Sequence, residues 1–141
     1  MKTAQEAFDD VVTHLASMTE RSVDEEGTCV YRGKNGNRCA IGGIITDEEY
    51  KRGIEGSRVS AIAYSLPHFV ENYGEHTMML GMLQRIHDKA SNWIDADRKP
   101  MKDALVHHAS IYNLNTDLLN TIEFVPIVPA FLHVEEDEDN G

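Results

Sequence analysis

The spacing of apolar and polar residues predicts a chain of amphipathic helices, interrupted once by a segment of different character. In the first twenty residues, apolar side chains recur every three or four positions, as on one face of an α-helix. Thr3 and Glu6 stand at the start of this run and have the spacing of a capping box. The pattern therefore predicts a first helix from about Ala4 to Glu20.

Two shorter helices are predicted near the middle of the chain. Thr46 and Glu49 form a second capping-box pattern, and we expect the helix that follows to stop near Gly53. Ser57 is a candidate cap for the next helix. Pro67 limits the length of that helix, because a proline inside a helix removes a backbone hydrogen bond.

The second half of the chain contains the longest internal helical pattern. Thr77 opens it, and its apolar positions are Leu80, Leu83, Ile86, His87, Ala90 and Ile94. Pro100 suits the first turn of the following helix, where its missing N–H costs nothing. Asn115 or Thr116 is a candidate cap for a short last helix.

Residues 29–41 break the helical pattern. Short runs of residues that favour β-structure flank Asn35 and Gly36, and Asn-Gly in that setting is a strong hairpin signal. Phe124–Val134 contains β-branched residues and two prolines, which suits an edge strand. We expect an α+β fold in which about four main helices pack around a small antiparallel sheet containing the hairpin.

Composition narrows the class of protein. The chain has 141 residues and a formal net charge of −11, which argues against a general nucleic-acid-binding surface. We expect one domain over residues 1–134 and a disordered acidic tail over 135–141. Residues 1–12 contain acids where a signal peptide has an apolar run, and no stretch is apolar enough to span a membrane. These features favour the cytoplasm.

The hairpin also carries a family resemblance. Residues 29–42 read C-x-Y-R-G-x-x-G-x-R-C-A-I-G, and Ile45, Asp47, Glu49 and Tyr50 follow. This run resembles a family of small hypothetical proteins encoded in bacteriophage and prophage genomes. The resemblance implies an accessory protein of the bacterial cytoplasm that binds and modulates a host or phage protein. It implies no catalytic residue and no cofactor.

The charge distribution gives a candidate binding cluster. Residues 29–60 contain six bases and four acids, so this region is basic on an otherwise acidic chain. Arg32, Lys34 and Arg38 surround the predicted turn. We expect them either to dock an acidic partner surface or to serve only as solubilising charges on an exposed loop. The many acids elsewhere leave open an acidic mimic of nucleic acid.

The two cysteines, Cys29 and Cys39, have four possible roles: buried packing, a structural zinc site, a reactive thiol or a disulfide. A two-residue turn at Asn35-Gly36 places the sulfurs on opposite faces of the hairpin. A three-residue loop, Lys34–Gly36, places them on one face as diagonal neighbours, near the distance limit for a disulfide. Packing is the favoured role, because free cysteines are usually buried.

A second candidate site combines histidines with nearby residues. His87 and His108 lie on the apolar faces of consecutive helices, so with Asp88 or a cysteine they could bind a metal; the alternative is that both are core side chains. The alternative enzyme or ligand-binding interpretation would use Arg32, Arg38, Cys39 and His87. No metal is predicted, because no paired ligand motif is present.

Methionines leave one further choice open. Four of them fall at helical spacing and would form either an adaptable interaction surface or part of the core. They are Met78, Met79, Met82 and Met101.

Overall fold

The computed structural model describes residues 1–62 and 64–127. Within these residues the chain forms six α-helices: α1 (Ala4–Ser17), α2 (Val59–Ile62), α3 (Pro67–Tyr73), α4 (Thr77–Asp88), α5 (Lys99–Ile111) and α6 (Asp117–Thr121). Short 3₁₀ turns cover Lys34–Gly36, Arg52–Ile54, Gly74–His76 and Ala90–Trp93.

The expected α+β fold is wrong. The part of the chain that the structure describes contains no β-strand and no sheet, only two isolated antiparallel bridges, Val23 with Cys29 and Arg32 with Arg38. The protein is mostly helical, and residues 18–58 form a long irregular segment.

Side chains from other segments explain the missing sheet. The backbone N–H groups of Tyr31 and Arg32 donate to the carboxylate of Glu55, at 2.8 and 3.1 Å. The N–H of Ile41 donates to Oε1 of Gln84 at 3.1 Å. A β-ladder needs such groups to bond to a neighbouring strand. Their capture by side chains satisfies the backbone without a sheet.

The turn itself has the three-residue register. Arg32 is bridged to Arg38, and the N–H of Cys39 donates to the carbonyl of Tyr31 at 3.0 Å. The Lys34–Gly36 loop ends on a glycine with φ of +74°. The left-handed conformation favours glycine, which explains the residue at this position.

Helix α1 follows the sequence prediction closely. The Thr3 hydroxyl accepts from the N–H of Glu6 at 3.1 Å, and the Glu6 carboxylate accepts from the N–H of Thr3 at 2.9 Å, so the capping box is confirmed. The helix ends at Ser17, before the predicted Glu20, because Met18 is extended. Its buried face comprises Ala7, Phe8, Val11, Val12, Leu15 and Ala16.

The second capping-box pattern does not open a helix. The Thr46 hydroxyl accepts from the N–H of Glu49 at 3.3 Å, but the Glu49 carboxylate accepts instead from the N–H groups of His68 and Phe69, at 2.7 and 2.9 Å. Glu49 thus caps α3 from a distance. Pro67 begins that helix, since a proline is well tolerated in the first turn.

An arginine lies inside the core. Arg98 is fully buried, and its guanidinium lies over the rings of Trp93 and Phe124, 4.8 and 5.8 Å from their centroids. One Nη donates to the carbonyl of Leu15 at 3.1 Å, in the last turn of α1. A cation at that end of a helix interacts favourably with the helix dipole. Arg98 therefore joins α1 to the start of α5.

The end of the described chain forms no strand. Phe124–Ile127 is irregular, and the N–H of Val125 donates to the carbonyl of Ala16 at 2.8 Å. The rest of the predicted edge strand, residues 128–134, and the predicted tail, 135–141, lie outside the described residues. Among the residues described, no helix combines the length and apolarity needed to cross a bilayer.

Candidate functional site

The structure brings together three of the five residues of the predicted histidine and cysteine site. Ligand atoms of Cys29, His87 and Asp88 lie within 4.8 Å of one another. Within the described residues, Cys39 and His108 do not belong to this group. The three-residue cluster therefore has to be tested against metal binding and catalysis.

The histidine ring is fixed by two hydrogen bonds. The buried N–H of Ser22 donates to Nε2 of His87 at 3.0 Å, which requires a lone pair on Nε2. The ring proton therefore sits on Nδ1, which donates to Oδ1 of Asp88 at 2.8 Å. Both nitrogens of His87 are thus used within the fold.

This tautomer disfavours a metal and a catalytic base. A metal on Nδ1 of His87 would move the ring proton to Nε2, where it would face the N–H of Ser22, and two donors repel. For the same reason, Nε2 cannot accept a proton from Cys29. The cluster is built to hold the irregular segment against α4.

The carboxylate of Asp88 extends this network. Its Oδ1 also accepts from Nε2 of Gln84 at 2.8 Å, and Gln84 in turn binds the N–H of Ile41. Burial pushes the pKa of Asp88 upward, but the hydrogen bonds that its side chain accepts, that from His87 foremost, outweigh burial and hold the pKa below its ordinary value. Asp88 is therefore ionised at neutral pH.

Both cysteines are free thiols, and the surroundings of each favour the protonated form. Burial is the main cause that raises the pKa of Cys29 to about 11, and Asp88 adds to the effect. Arg21 lies 3.7 Å from its sulfur but does not reverse the shift. Burial raises the pKa of Cys39 to about 12. Because the thiolate is the nucleophile, neither cysteine is activated at neutral pH.

The predicted basic cluster is partly neutralised within the fold. Arg32 and Arg38 both contact Asp47, at 2.9 and 3.1 Å. The Arg32 guanidinium also lies 4.5 Å from the ring centroid of Tyr50. Lys34 is exposed in the turn. Two of the three predicted binding residues therefore already have a carboxylate partner.

His108 lies in a separate apolar environment. Its ring stacks on Phe8 with a centroid distance of 5.8 Å and contacts Tyr112 at 4.8 Å. Burial lowers the pKa of His108 to about 4, so the ring is neutral at pH 7. His108 serves as a core side chain.

The four methionines divide between core and surface. Met79 and Met101 are buried, whereas Met78 is 79% exposed and Met82 is 39% exposed. Gly81 lies between the two exposed methionines, and Arg85 continues the same side of the helix. We call Met78, Gly81, Met82 and Arg85 the α4 outer face.

A cleft borders the α4 outer face. It has a volume of about 680 Å³ and lies between α4 and the segment that leads into α2. The residues that line it are Tyr31, Gly56, Ser57, Arg58, Val59, Ser60, Thr77, Met78, Gly81, Met82, Gln84, Arg85 and Asp88. Among the described residues, neither Arg58 nor Arg85 has a carboxylate within ion-pair distance. We call this the α2–α4 cleft.

A smaller groove lies on the other side of the same helix. It has a volume of about 250 Å³, and Met82 and Arg85 line it together with residues of α5. Lys89 adds a further base to this groove. The α4 outer face is therefore a ridge between two depressions.

Comparison with known proteins gave no assignment: no protein-family model, no curated protein and no solved structure matches this chain.

Proposed function

We propose that this protein is a non-catalytic binding module that holds an acidic, apolar-faced segment of another protein in the α2–α4 cleft. The observation that carries the proposal is the glycine in the middle of α4. The methionines beside it support the same conclusion, as do Arg58 and Arg85, which have no carboxylate partner among the described residues.

Gly81 destabilises α4 when the protein has no partner bound. A glycine inside a helix destabilises it by about 0.5–1 kcal/mol relative to alanine. A Cβ atom placed on Gly81 would meet nothing within 4 Å, so the missing side chain gives no packing advantage inside the described chain. A partner that approaches the helix backbone closely would use this gap.

The exposed methionines suit such a contact. Met78 and Met82 lie on either side of Gly81 and present flexible, polarisable side chains to solvent. Methionine adapts its shape to different apolar surfaces and is common at binding faces. The cleft would therefore accept apolar side chains from the partner.

The charges specify an acidic partner. Arg58 and Arg85 line the cleft on a chain whose net charge is −11. The carboxylate in the cleft, Asp88, already accepts hydrogen bonds from His87 and Gln84. Attraction between the arginines and an acidic partner would speed association and weaken with salt.

The enzyme interpretation has less support from geometry. Cys39 is buried with a protonated thiol, and both nitrogens of His87 are occupied. Arg32 and Arg38 are bound to Asp47. These four residues do not converge on a cleft, which an active site requires.

The resemblance to phage-encoded proteins suggests where to look for the partner. We infer a host or phage protein of the bacterial cytoplasm, which the binding module would modulate by occupying its acidic segment.

A capture experiment with matched charge reversals tests the proposal. The wild type, Arg58→Glu/Arg85→Glu and Lys51→Glu/Arg52→Glu are immobilised and exposed to bacterial lysate at low salt. The two double variants change the net charge equally, but Lys51 and Arg52 do not line the cleft. We expect at least one protein to bind the wild type and the Lys51/Arg52 variant and to be lost from the cleft variant. An identical set of proteins on all three baits would overturn the proposal.

A further inference from the structure

We propose that residues 128–141 of the same chain occupy the α2–α4 cleft when no partner is bound. This inference rests on the proposed function, because it concerns regulation of the same site. The sequence of this segment is VPAFLHVEEDEDNG, an apolar stretch followed by five acids. It has the two properties that the cleft selects in a partner.

Most other cations of the described chain are already engaged. Lys2 contacts Asp10, Lys99 contacts Asp103, and Arg32 and Arg38 contact Asp47. Arg21 donates to the carbonyl of Asp88, Arg98 is buried, and Lys102 lies over the ring of Phe124.

Three of the remaining cations share a depression with acids. Lys34 and Arg52 line one that also contains Asp24, Glu25, Glu26 and Glu55. Lys51 lines another that contains Glu48 and Glu49. An acidic segment approaching either place would meet like charges as well as opposite ones.

The two sides of α4 differ, because their cations face few acids. Arg58 and Arg85 line the α2–α4 cleft, and Lys89 lines the neighbouring groove. Asp88, the acid in the cleft, is held by two hydrogen bonds. Among the described residues, this region is therefore the most favourable place for the five acids of residues 135–139. Met78 and Met82 would offer an apolar surface for Phe131 and Leu132.

The chain is long enough for this contact. Fourteen residues at about 3.3 Å each span up to about 46 Å. A compact chain of this size has a radius of gyration of about 14 Å, so the cleft is within reach of Ile127. A tethered ligand also has an effective concentration on the order of millimolar, which allows a weak contact to be populated.

Paramagnetic NMR on the full-length chain tests the inference. A nitroxide is attached to the variant Asn140→Cys, and the chain is labelled with ¹⁵N. Cys29 and Cys39 react slowly in comparison, because their thiols are protonated. We expect the amide signals of Met78, Gly81 and Met82, which line the cleft, to lose intensity, and to recover it in the background Arg58→Glu/Arg85→Glu.

Three results would overturn the inference. The first is signal loss centred on Lys34 and Arg52, and the second is signal loss at α4 that persists after the arginines are reversed. The third is signal loss that appears only when nitroxide-bearing chains are mixed with separate ¹⁵N-labelled chains, because the occupant would then be a second copy. The NMR experiment contains no partner, so its failure is separate from failure of the lysate capture.

Discussion

The backbone N–H of Ser22 donates a 3.0 Å hydrogen bond to Nε2 of His87, and this contact fixes the chemistry of the whole cluster. It places the ring proton on Nδ1, where it serves Asp88. A group of residues whose types suggest a metal or catalytic site is thereby committed to holding the irregular segment on α4.

The first prediction concerns this contact. His87→Ala leaves the buried N–H of Ser22 without an acceptor and creates a cavity, so it should lower the free energy of unfolding by about 3 kcal/mol. His87→Gln places a carbonyl oxygen near the position of Nε2 and should recover part of the loss. Urea denaturation measures both variants. Equal stability of the alanine variant and the wild type would show that the contact contributes nothing.

The second prediction concerns pH. The pKa of His108 is about 4 in the folded protein, against an ordinary value of 6.5. Between these values the unfolded chain binds a proton that the folded chain does not, so stability is complete above the higher value and falls as the pH drops. We expect a loss of about 2 kcal/mol from about pH 7 to about pH 5.

The variant His108→Phe tests the source of that loss. Phenylalanine keeps a ring between Phe8 and Tyr112 but cannot take a proton. Burial also lowers the pKa of His14, so the variant should flatten the pH profile without removing it entirely. A profile as steep as that of the wild type would assign the effect to other groups.

The third prediction concerns the buried arginine. Arg98→Ala removes the hydrogen bond to Leu15 and the contacts with Trp93 and Phe124, and should cost about 3 kcal/mol. Lys99→Ala is the control, because Lys99 contacts Asp103 at the surface and such pairs contribute at most about 1 kcal/mol. Thermal and urea unfolding compare the two. Similar losses for both would mean that Arg98 is not a core residue.

Helix starts were predictable where their signals are local. Thr3 and Glu6 lie three residues apart and bond to each other, so the sequence alone contains the full cap. Pro100 likewise lies in the first turn of α5, as predicted. These local signals fail when a side chain bonds to a residue far away in the sequence. The Glu49 carboxylate accepts from N–H groups of α3 and leaves the cap at Thr46 incomplete.

The missing sheet has the same physical origin. The residues around Asn35 and Gly36 do form a tight turn, but Glu55 and Gln84 take the N–H groups that a strand would need. Neither residue is near the turn in sequence, and no local pattern reveals them. Arg98 was missed for a related reason, because only the fold brings Trp93 and Phe124 around it.

The candidate site was predictable in part. Cys29, His87 and Asp88 were recognisable as candidates from their residue types, but the tautomer that decides their chemistry depends on the backbone N–H of Ser22, and no sequence pattern points to Ser22. Gly81 did carry a sequence signal, because a glycine inside a predicted helix usually has a packing or functional reason. The structure adds that no described neighbour provides it.

Calorimetry with variants of Gly81 tests the proposed cleft most directly. It measures the affinity for a protein that the lysate capture retains on the wild type but loses on Arg58→Glu/Arg85→Glu. Gly81→Arg places a large side chain in the cleft while leaving the cleft basic. Gly81→Ala adds only a methyl group. Gly53→Arg is the matched control, because a Cβ there also meets nothing within 4 Å and Gly53 does not line the cleft.

Gly81→Ala should raise the free energy of unfolding by about 0.5–1 kcal/mol, since alanine favours a helix. Gly81→Arg should weaken binding at least about tenfold, a loss of about 1.4 kcal/mol, while Gly53→Arg leaves it unchanged. Equal affinities for Gly81→Arg, Gly53→Arg and the wild type would contradict the claim that the partner packs against α4.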